Sequence, residues 1–231
     1  MDFPENRTLT QSEFECMCRG ADVLEQDSRG IKVLRLADGD MLKLFRVKRA
    51  WSSARLIPYS KRFCRNAARL AQRGIPTVSV KAWYQLGSPG TTAVLYRPLP
   101  GLTIREIARS GGLGNTLLQQ LGAFVAELHR QGVYFRSLHF GNIVQTPEGK
   151  LGLIDIADLG VRPWRLFNFE RLRNFRHLCR LERDRQQFGQ QGWQRLCSAY
   201  LDATQMSARC RQKFAMQAQK LFDHGGTEKK S

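Results

Sequence analysis

The chain has 231 residues and a formal net charge of +17, from 37 Lys and Arg against 20 Asp and Glu. Its hydrophobic fraction of 42% is that of a globular protein and excludes a disordered chain. A positive field favours anionic partners such as phosphorylated substrates or lipid surfaces, although the same charge also describes a merely solvated basic surface. The six cysteines lack disulfide-scaffold or common zinc spacing, so we expect reduced thiols in a cytosolic protein.

Neither an exported nor a membrane-spanning protein is expected from the sequence. Residues 1–6 are polar and lack the basic and apolar regions of a signal peptide. No apolar run approaches the ~18 residues that a membrane span needs. We therefore expect any membrane contact to be peripheral.

The first part of the chain predicts a small antiparallel sheet. After a polar lead-in over residues 1–20, apolar and polar residues alternate in three segments joined by tight turns. A helix is predicted from Tyr59 to Arg73, ended by Gly74 and Pro76. The predicted strands are residues 21–26, 31–36, 41–45, 78–84 and 92–96.

Helical periodicity dominates after a linker of prolines and glycine at Arg97–Gly101. Thr103 begins a short helix with Glu106 as its capping-box partner, and an amphipathic helix follows over Asn115–Gln131. The remainder, from Phe167 to Phe222, is helical and rich in arginine.

This order predicts an α+β, two-lobed architecture like that of protein kinases. The small N-terminal β-rich lobe covers residues 1–96, and the larger helical lobe covers residues 102–224, with a catalytic-loop-like segment at 132–160. Residues 97–101 are the predicted hinge, and residues 225–231 are a predicted disordered tail.

Two oxygen donors suggest a cation site in the second lobe. Asn142 follows a polar loop, and Asp155 ends a short strand. Magnesium prefers oxygen ligands of this kind. The alternative is an asparagine in a loop turn and an aspartate that caps the next segment.

The segment Phe135–Asn142 resembles the protein-kinase pattern His-Arg-Asp-Leu-x-x-x-Asn. Its Arg, Leu and Asn match, whereas Phe135 and Ser137 replace the His and the Asp. Asp155-Ile-Ala stands where kinases have Asp-Phe-Gly, and its spacing from Asn142 agrees with that between the two kinase metal ligands. The resemblance implies a Mg²⁺ site formed by Asn142 and Asp155.

By the same resemblance, Lys43 stands where kinases have the lysine that pairs the α- and β-phosphates of ATP. It could also be an outward-facing strand lysine. Gly30 ends a turn that could cover a nucleotide with backbone amides. Residues 47–74 contain no Asp or Glu, so the helix glutamate that should hold the lysine is missing, replaced by an amide such as Asn66, or supplied elsewhere.

Ser137 replaces the aspartate that would accept the proton of the substrate hydroxyl. A serine hydroxyl is a poor base, and His139 or Asp158 could take over this role. His139 could equally be a loop histidine bonded to the backbone. Phosphoryl transfer depends mostly on positioning and electrostatics, so the loss of the base need not abolish it.

Residues 134–144 and 152–158 together resemble the lipopolysaccharide core kinase family, the heptose and Kdo kinases, and most of all the bacterial proteins labelled toluene tolerance proteins. The resemblance implies a divergent phosphotransferase, dependent on ATP and Mg²⁺, that acts on a sugar hydroxyl of the lipopolysaccharide core or another anionic acceptor. It implies action at the cytoplasmic face of the inner membrane, where a basic protein suits a phosphorylated, membrane-borne acceptor.

Two other functions remain open. Ser137 and the acid-free helix favour a pseudokinase, which binds nucleotide and regulates without turnover. The arginines between Arg162 and Arg185 could instead form a basic face for an anionic surface, with nucleic acid not expected as the partner. The arginines assigned to this face are Arg171, Arg173, Arg176, Arg180, Arg183 and Arg185.

Overall fold

The structure is a computed structural model that describes residues 6–28, 30–46, 58–87 and 90–225. Its chain divides into two compact units, the first formed by residues 1–99 and 156–158 and the second by residues 100–155 and 159–231. The division after residue 99 falls within the linker predicted at Arg97–Gly101. Most of the tail predicted to be disordered, residues 226–231, lies outside the described residues, as do residues 47–57 of the acid-free stretch.

The first unit is built on one sheet whose described strands run in the order β1-β5-β6-β4-β3-β2. Neighbouring strands are antiparallel except β1 and β5, which are parallel. Its elements are β1 (Asn6–Leu9), α1 (Gln11–Met17), β2 (Asp22–Asp27), β3 (Gly30–Arg35), β4 (Met41–Arg46), α2 (Tyr59–Ala71), β5 (Ser79–Leu86) and β6 (Thr91–Arg97). The five strands predicted from alternation are all present. The edge strand β1, which carries no alternating pattern, was not predicted.

The sheet of the first unit is covered on both faces: α2 packs on the side of Phe45 and Trp83, and an apolar cluster lies on the other side. Leu34, Leu42 and Leu44 are buried there with Ala93, as the alternation of β3 and β4 requires. The apolar face of α2 buries Phe63 and Leu70. This packing determines which face of the sheet each side chain of β4 lies on.

The second unit is mostly helical, with two small sheets of order β10-β9-β7 and β11-β8. The capping box predicted for α3 is confirmed, since Thr103 accepts from Glu106 N–H and Glu106 accepts from Thr103 N–H. The elements are β7 (Leu102–Thr103), α3 (Ile104–Arg109), α4 (Asn115–Arg130), β8 (Val133–Phe135), β9 (Ile143–Gln145), β10 (Leu151–Leu153), β11 (Leu159–Val161), α5 (Asn168–Leu178), α6 (Glu182–Asp202) and α7 (Ala208–Asp223). The predicted α+β class, with an antiparallel-rich N-terminal sheet and a helical C-terminal region, is confirmed.

Helices α4 and α6 form the centre of the second unit. A Cβ added to Gly122 of α4 would lie 2.5 Å from the carbonyl oxygen of Leu196 in α6, so the two backbones approach closely. Phe175, Trp193 and Tyr200 pack edge to face beside this contact. Across the described ranges, none of the helices has the length and apolarity needed to cross a membrane.

Six unpaired thiols agree with the expected reduced cysteines. Cys64, Cys179 and Cys197 are buried, whereas Cys16 and Cys210 are exposed. Burial raises the pKa of the Cys64 and Cys179 thiols to about 12, so both are protonated at neutral pH.

Candidate functional site

The two predicted metal ligands lie at one end of the β9–β10 hairpin. Leu153 pairs with Ile143 in the antiparallel register, so Asn142 directly precedes the hairpin and Asp155 follows it. The backbone N–H of Ile154 donates to the carbonyl oxygen of Asn142 over 3.1 Å. The hairpin therefore brings together two residues that are separated by a turn and two strands.

The amide of Asn142 is buried and oriented by its own loop. Its side chain is 8% exposed, and Nδ2 donates to the carbonyl oxygen of Ser137 over 3.0 Å. The nitrogen is thus committed to the loop, and Oδ1 is the atom that suits a cation. An oriented side-chain oxygen is what a magnesium ligand requires.

Asp155 is exposed and has a left-handed backbone conformation with φ of 53°. Among the described residues it is the one non-glycine residue with a positive φ. Such a conformation costs roughly 1–2 kcal/mol and persists where the surrounding structure imposes it, most often at functional sites. The hairpin ladder on one side and the one-turn 3₁₀ helix at Ile156–Asp158 on the other impose it here.

His139 is bonded to the backbone of the loop that carries it. Its Nδ1 accepts from the backbone N–H of Gly141 over 3.2 Å, which places the proton of the neutral ring on Nε2. Burial and the nearby guanidinium of Arg105 lower the pKa of His139, so the ring is neutral at pH 7. This arrangement supports a loop-positioning role more than a role as proton acceptor.

A buried ion pair that the sequence analysis missed supports the same loop. Arg105 donates from Nε and Nη2 to the two carboxylate oxygens of Asp184 over 2.9 and 2.8 Å, with side-chain exposures of 14% and 0%. A side chain at Gly141 would collide with this guanidinium, so the glycine is needed for the close approach. The available signal was Asp184 itself, a single acid between Arg183 and Arg185.

The entry to the loop is held by a second group of buried polar residues. Asn174 of α5 accepts from the backbone N–H of Phe135 and donates to its carbonyl oxygen over 3.3 and 3.2 Å. His129 contacts Asn174 through Nε2 and the hydroxyl of Tyr200 through Nδ1, over 3.3 and 2.9 Å. These contacts fix the end of β8, two residues before Ser137.

In the first unit, Lys43 lies beside two aromatic rings. Its Nζ lies 5.9 Å from the ring centroids of both Phe45 and Phe63, and Phe63 belongs to α2. Asn66, proposed from sequence as a substitute partner, donates from Nδ2 to the carbonyl oxygen of Ile156 over 2.7 Å. Phe63 of the acid-free helix thus offers Lys43 a cation–π contact. The side-chain amide of Asn66, on the same helix, binds the segment that follows Asp155.

The predicted site residues fall in both units. Ser137, His139, Asn142 and Asp155 lie in the second, where one loop and one hairpin hold them. Lys43, Gly30 and Asp158 belong to the first. Gly30 has φ of 106° at the β2–β3 turn, where Arg46 Nη1 donates to the carbonyl oxygen of Ile31 over 2.7 Å. The roles assigned to these residues stay predictions.

Comparison with known proteins finds a family model that matches part of the chain. Residues 104–200 match the model of the lipopolysaccharide kinase (Kdo/WaaP) family, a range that contains the loop and the hairpin. No curated protein matches the chain. The match over residues 104–200 supports the family predicted from the loop motif, while the nearer likeness to toluene tolerance proteins stays a prediction.

Proposed function

We propose that the chain, whose residues 104–200 match the model of the lipopolysaccharide kinase (Kdo/WaaP) family, is a divergent phosphotransferase dependent on ATP and Mg²⁺. Its acceptor is a sugar hydroxyl of the lipopolysaccharide core, or another anionic acceptor, reached at the cytoplasmic face of the inner membrane. The observation that carries the proposal is the pair of oxygen donors, Asn142 and Asp155, at one end of a hairpin.

The donor set fits Mg²⁺ held together with phosphate oxygens. Among the described residues, no three His, Cys, Asp or Glu side chains form a metal site by themselves. Two protein oxygens therefore leave the remaining positions to water and the nucleotide phosphates, as is usual for Mg²⁺. When bound, the ion supplies positive charge against the phosphates.

The other predicted residues have roles that follow from their chemistry. The ammonium of Lys43 binds nucleotide phosphates, and the backbone at Gly30 covers them. Ser137 can hydrogen-bond the acceptor hydroxyl but cannot draw its proton strongly, so we expect slow transfer. His139 keeps the loop in shape, and Asp158 is the remaining candidate base.

A pseudokinase is the second candidate function. Ser137 in place of the aspartate, and the absence of Asp and Glu from α2, both favour nucleotide binding without efficient turnover. Both functions require the same nucleotide and metal site, and they differ in whether a phosphorylated product forms.

Binding is tested by thermal unfolding of wild type with ATP, with and without Mg²⁺. We expect Mg²⁺ and ATP together to stabilise wild type by ~2.7 kcal/mol at a nucleotide concentration of about 100 Kd. Asp155→Ala should lose this response, whereas Glu148→Ala, at the turn end of the same hairpin, should keep it. A wild type that ATP does not stabilise, with or without the metal, would contradict both candidate functions.

Turnover is tested separately, by following phosphate transfer from ATP to isolated lipopolysaccharide core. Slow transfer that Asp155→Ala abolishes and Ser137→Asp accelerates would establish the kinase. Nucleotide binding with no product in wild type, together with product formed by Ser137→Asp, would establish the pseudokinase instead.

A further inference from the structure

The turn between β11 and α5 exposes three large aromatic side chains. Trp164, Phe167 and Phe169 are 55, 57 and 62% exposed, and the two phenylalanine rings stack with centroids 6.1 Å apart. We call residues 162–169 the aromatic turn. Soluble surfaces carry single apolar residues, but three large aromatics within six positions indicate an interaction surface.

The backbone of the aromatic turn is fixed at several points. Arg162 N–H donates to the carbonyl oxygen of Gly132 over 2.8 Å, and Leu166 N–H donates to that of His129 over 2.9 Å. The side chain of Leu166 is 2% exposed and anchors the middle of the turn. The aromatic rings therefore project from a rigid base, and their exposure is a property of the fold.

A basic cavity of about 340 Å³ opens beside these rings, at the first turns of α5 and α7. Arg165 and Arg171 line it with Asn168 and Ser207, and no carboxylate is among its lining residues. Arg165 is exposed. An anion is the complementary occupant of such a cavity.

Arg171 supplies the buried charge of this cavity. The sequence assigned it to an exposed basic face, and that assignment is wrong because the residue is 8% exposed. Its Nε donates to Leu166 O over 2.8 Å and its Nη1 to Tyr200 Oη over 3.4 Å, both uncharged acceptors. A guanidinium buried without a carboxylate from the described part of the chain gains stability from a bound phosphate.

Exposed aromatic rings beside arginines are typical of a surface that lies in the headgroup layer of an anionic bilayer. We propose that the aromatic turn and its cavity form a membrane-docking surface, in which the rings enter the interface and the cavity receives a phospholipid phosphate. A free phosphate ion would leave the three rings without a function. The net charge of +17 attracts the protein to the same anionic surface.

This inference extends the membrane contact within the proposed function and concerns residues other than the metal ligands. It is measured with vesicles and without nucleotide. A wild-type protein that binds nucleotide but no vesicles would reject the docking surface alone. A wild-type protein that binds vesicles but no nucleotide would reject the nucleotide site alone.

The test is co-sedimentation of the full chain with phosphatidylcholine vesicles, with and without phosphatidylglycerol. We expect binding to the phosphatidylglycerol vesicles and a blue shift of Trp164 emission. The double variant Trp164→Ser/Phe167→Ser should lower binding about ten-fold or more, since two rings lose their apolar contact. Arg165→Gln should lower it about five-fold, as expected for one cation at an anionic surface.

Matched controls separate this surface from general charge and stickiness. Met216→Ser removes a side chain with the same 57% exposure on α7, and Arg183→Gln removes an exposed arginine from α6. Both should bind like wild type. Equal binding to both vesicle types, or an unchanged double variant, would overturn the proposal. The proposal would also be overturned if inorganic phosphate stabilised the protein but the protein bound no vesicles. That result would show that the cavity is an ion site only.

Discussion

Asp155 and Asn142, the two proposed metal ligands, differ in how the surrounding structure holds them. The carboxylate of Asp155 is exposed on a strained backbone, and the amide of Asn142 is buried with its nitrogen bonded to the loop. In the proposed function, a cation that binds both oxygens offsets the cost of this backbone conformation.

His129 is a buried residue whose ionisation the folded state opposes. It is fully buried, and burial together with the positive charge of Arg171 lowers its pKa to about 3. Its ring bonds Tyr200 and Asn174 as a neutral group. A histidine in the unfolded chain has a pKa near 6.5. Between about pH 6.5 and 3, the unfolded chain therefore binds a proton at this residue and the folded chain does not.

The free energy of unfolding should therefore be highest above pH 6.5 and fall by up to ~1.4 kcal/mol per pH unit below it. Urea unfolding between pH 7.5 and 4.5 measures this slope. His129→Gln should begin less stable and show a shallower slope, with His177, whose pKa is lowered to about 4, supplying part of the remainder. The exposed His224→Gln should keep the wild-type slope. Parallel curves for His129→Gln and wild type would contradict this assignment.

At the scale of elements, the loop is held by the helices around it. Arg105 of α3, Asp184 of α6 and Asn174 of α5 reach it from three separate helices. One of those helices, α6, is in close contact with α4 at Gly122. We expect a change in the contact between α4 and α6 to lower the stability of the protein first and to disturb the loop second.

Two buried helical glycines allow this contact to be tested. A Cβ at Gly122 would lie 2.5 Å from Leu196 O and 2.7 Å from Tyr200 N, whereas one at Gly192 would meet Leu118 at an ordinary 3.5 Å. Gly122→Ala should destabilise the protein by about 1–3 kcal/mol through overpacking. Gly192→Ala should be neutral or stabilising by up to ~1 kcal/mol, because alanine is the better helix former. Chemical unfolding compares the two, and equal effects would argue against the close contact.

At the scale of the whole molecule, the dominant quantity is the charge of +17. Such an excess repels itself in the compact state and attracts anionic surfaces and phosphates. Several exposed arginines have no described carboxylate partner to offset the repulsion, among them Arg173, Arg180 and Arg183. The net charge therefore favours binding to anionic groups and lowers the stability of the folded protein.

Salt should raise the melting temperature of the free protein, since the Debye length shortens to about 8 Å at physiological ionic strength. Thermal unfolding over a sodium chloride series measures the gain. The triple variant Arg173→Gln/Arg180→Gln/Arg183→Gln should melt higher than wild type at low salt and gain less from added salt. A wild-type melting temperature that is constant or falls with salt would show that self-repulsion is not a significant cost.

The sequence by itself determined the features that repeat locally or sit at fixed spacing. Alternation predicted the strands β2 to β6, Thr103 and Glu106 predicted the cap of α3, and the spacing of Asn142 from Asp155 indicated the family. Each of these depends on neighbours a few residues apart or on one short motif, so the chain alone carries the signal.

Only the tertiary structure decided what supports those residues. Arg105 and Asp184 are 79 positions apart, and Phe135 and Asn174 are 39 apart, so no periodicity relates them. The edge strand β1, the burial of Arg171 and the exposure of the aromatic turn likewise depend on what the fold places beside them. Burial and pairing depend on which residues lie close in three dimensions. For a charged or polar side chain, those neighbours decide whether it is a solvated surface group or part of a buried, hydrogen-bonded arrangement.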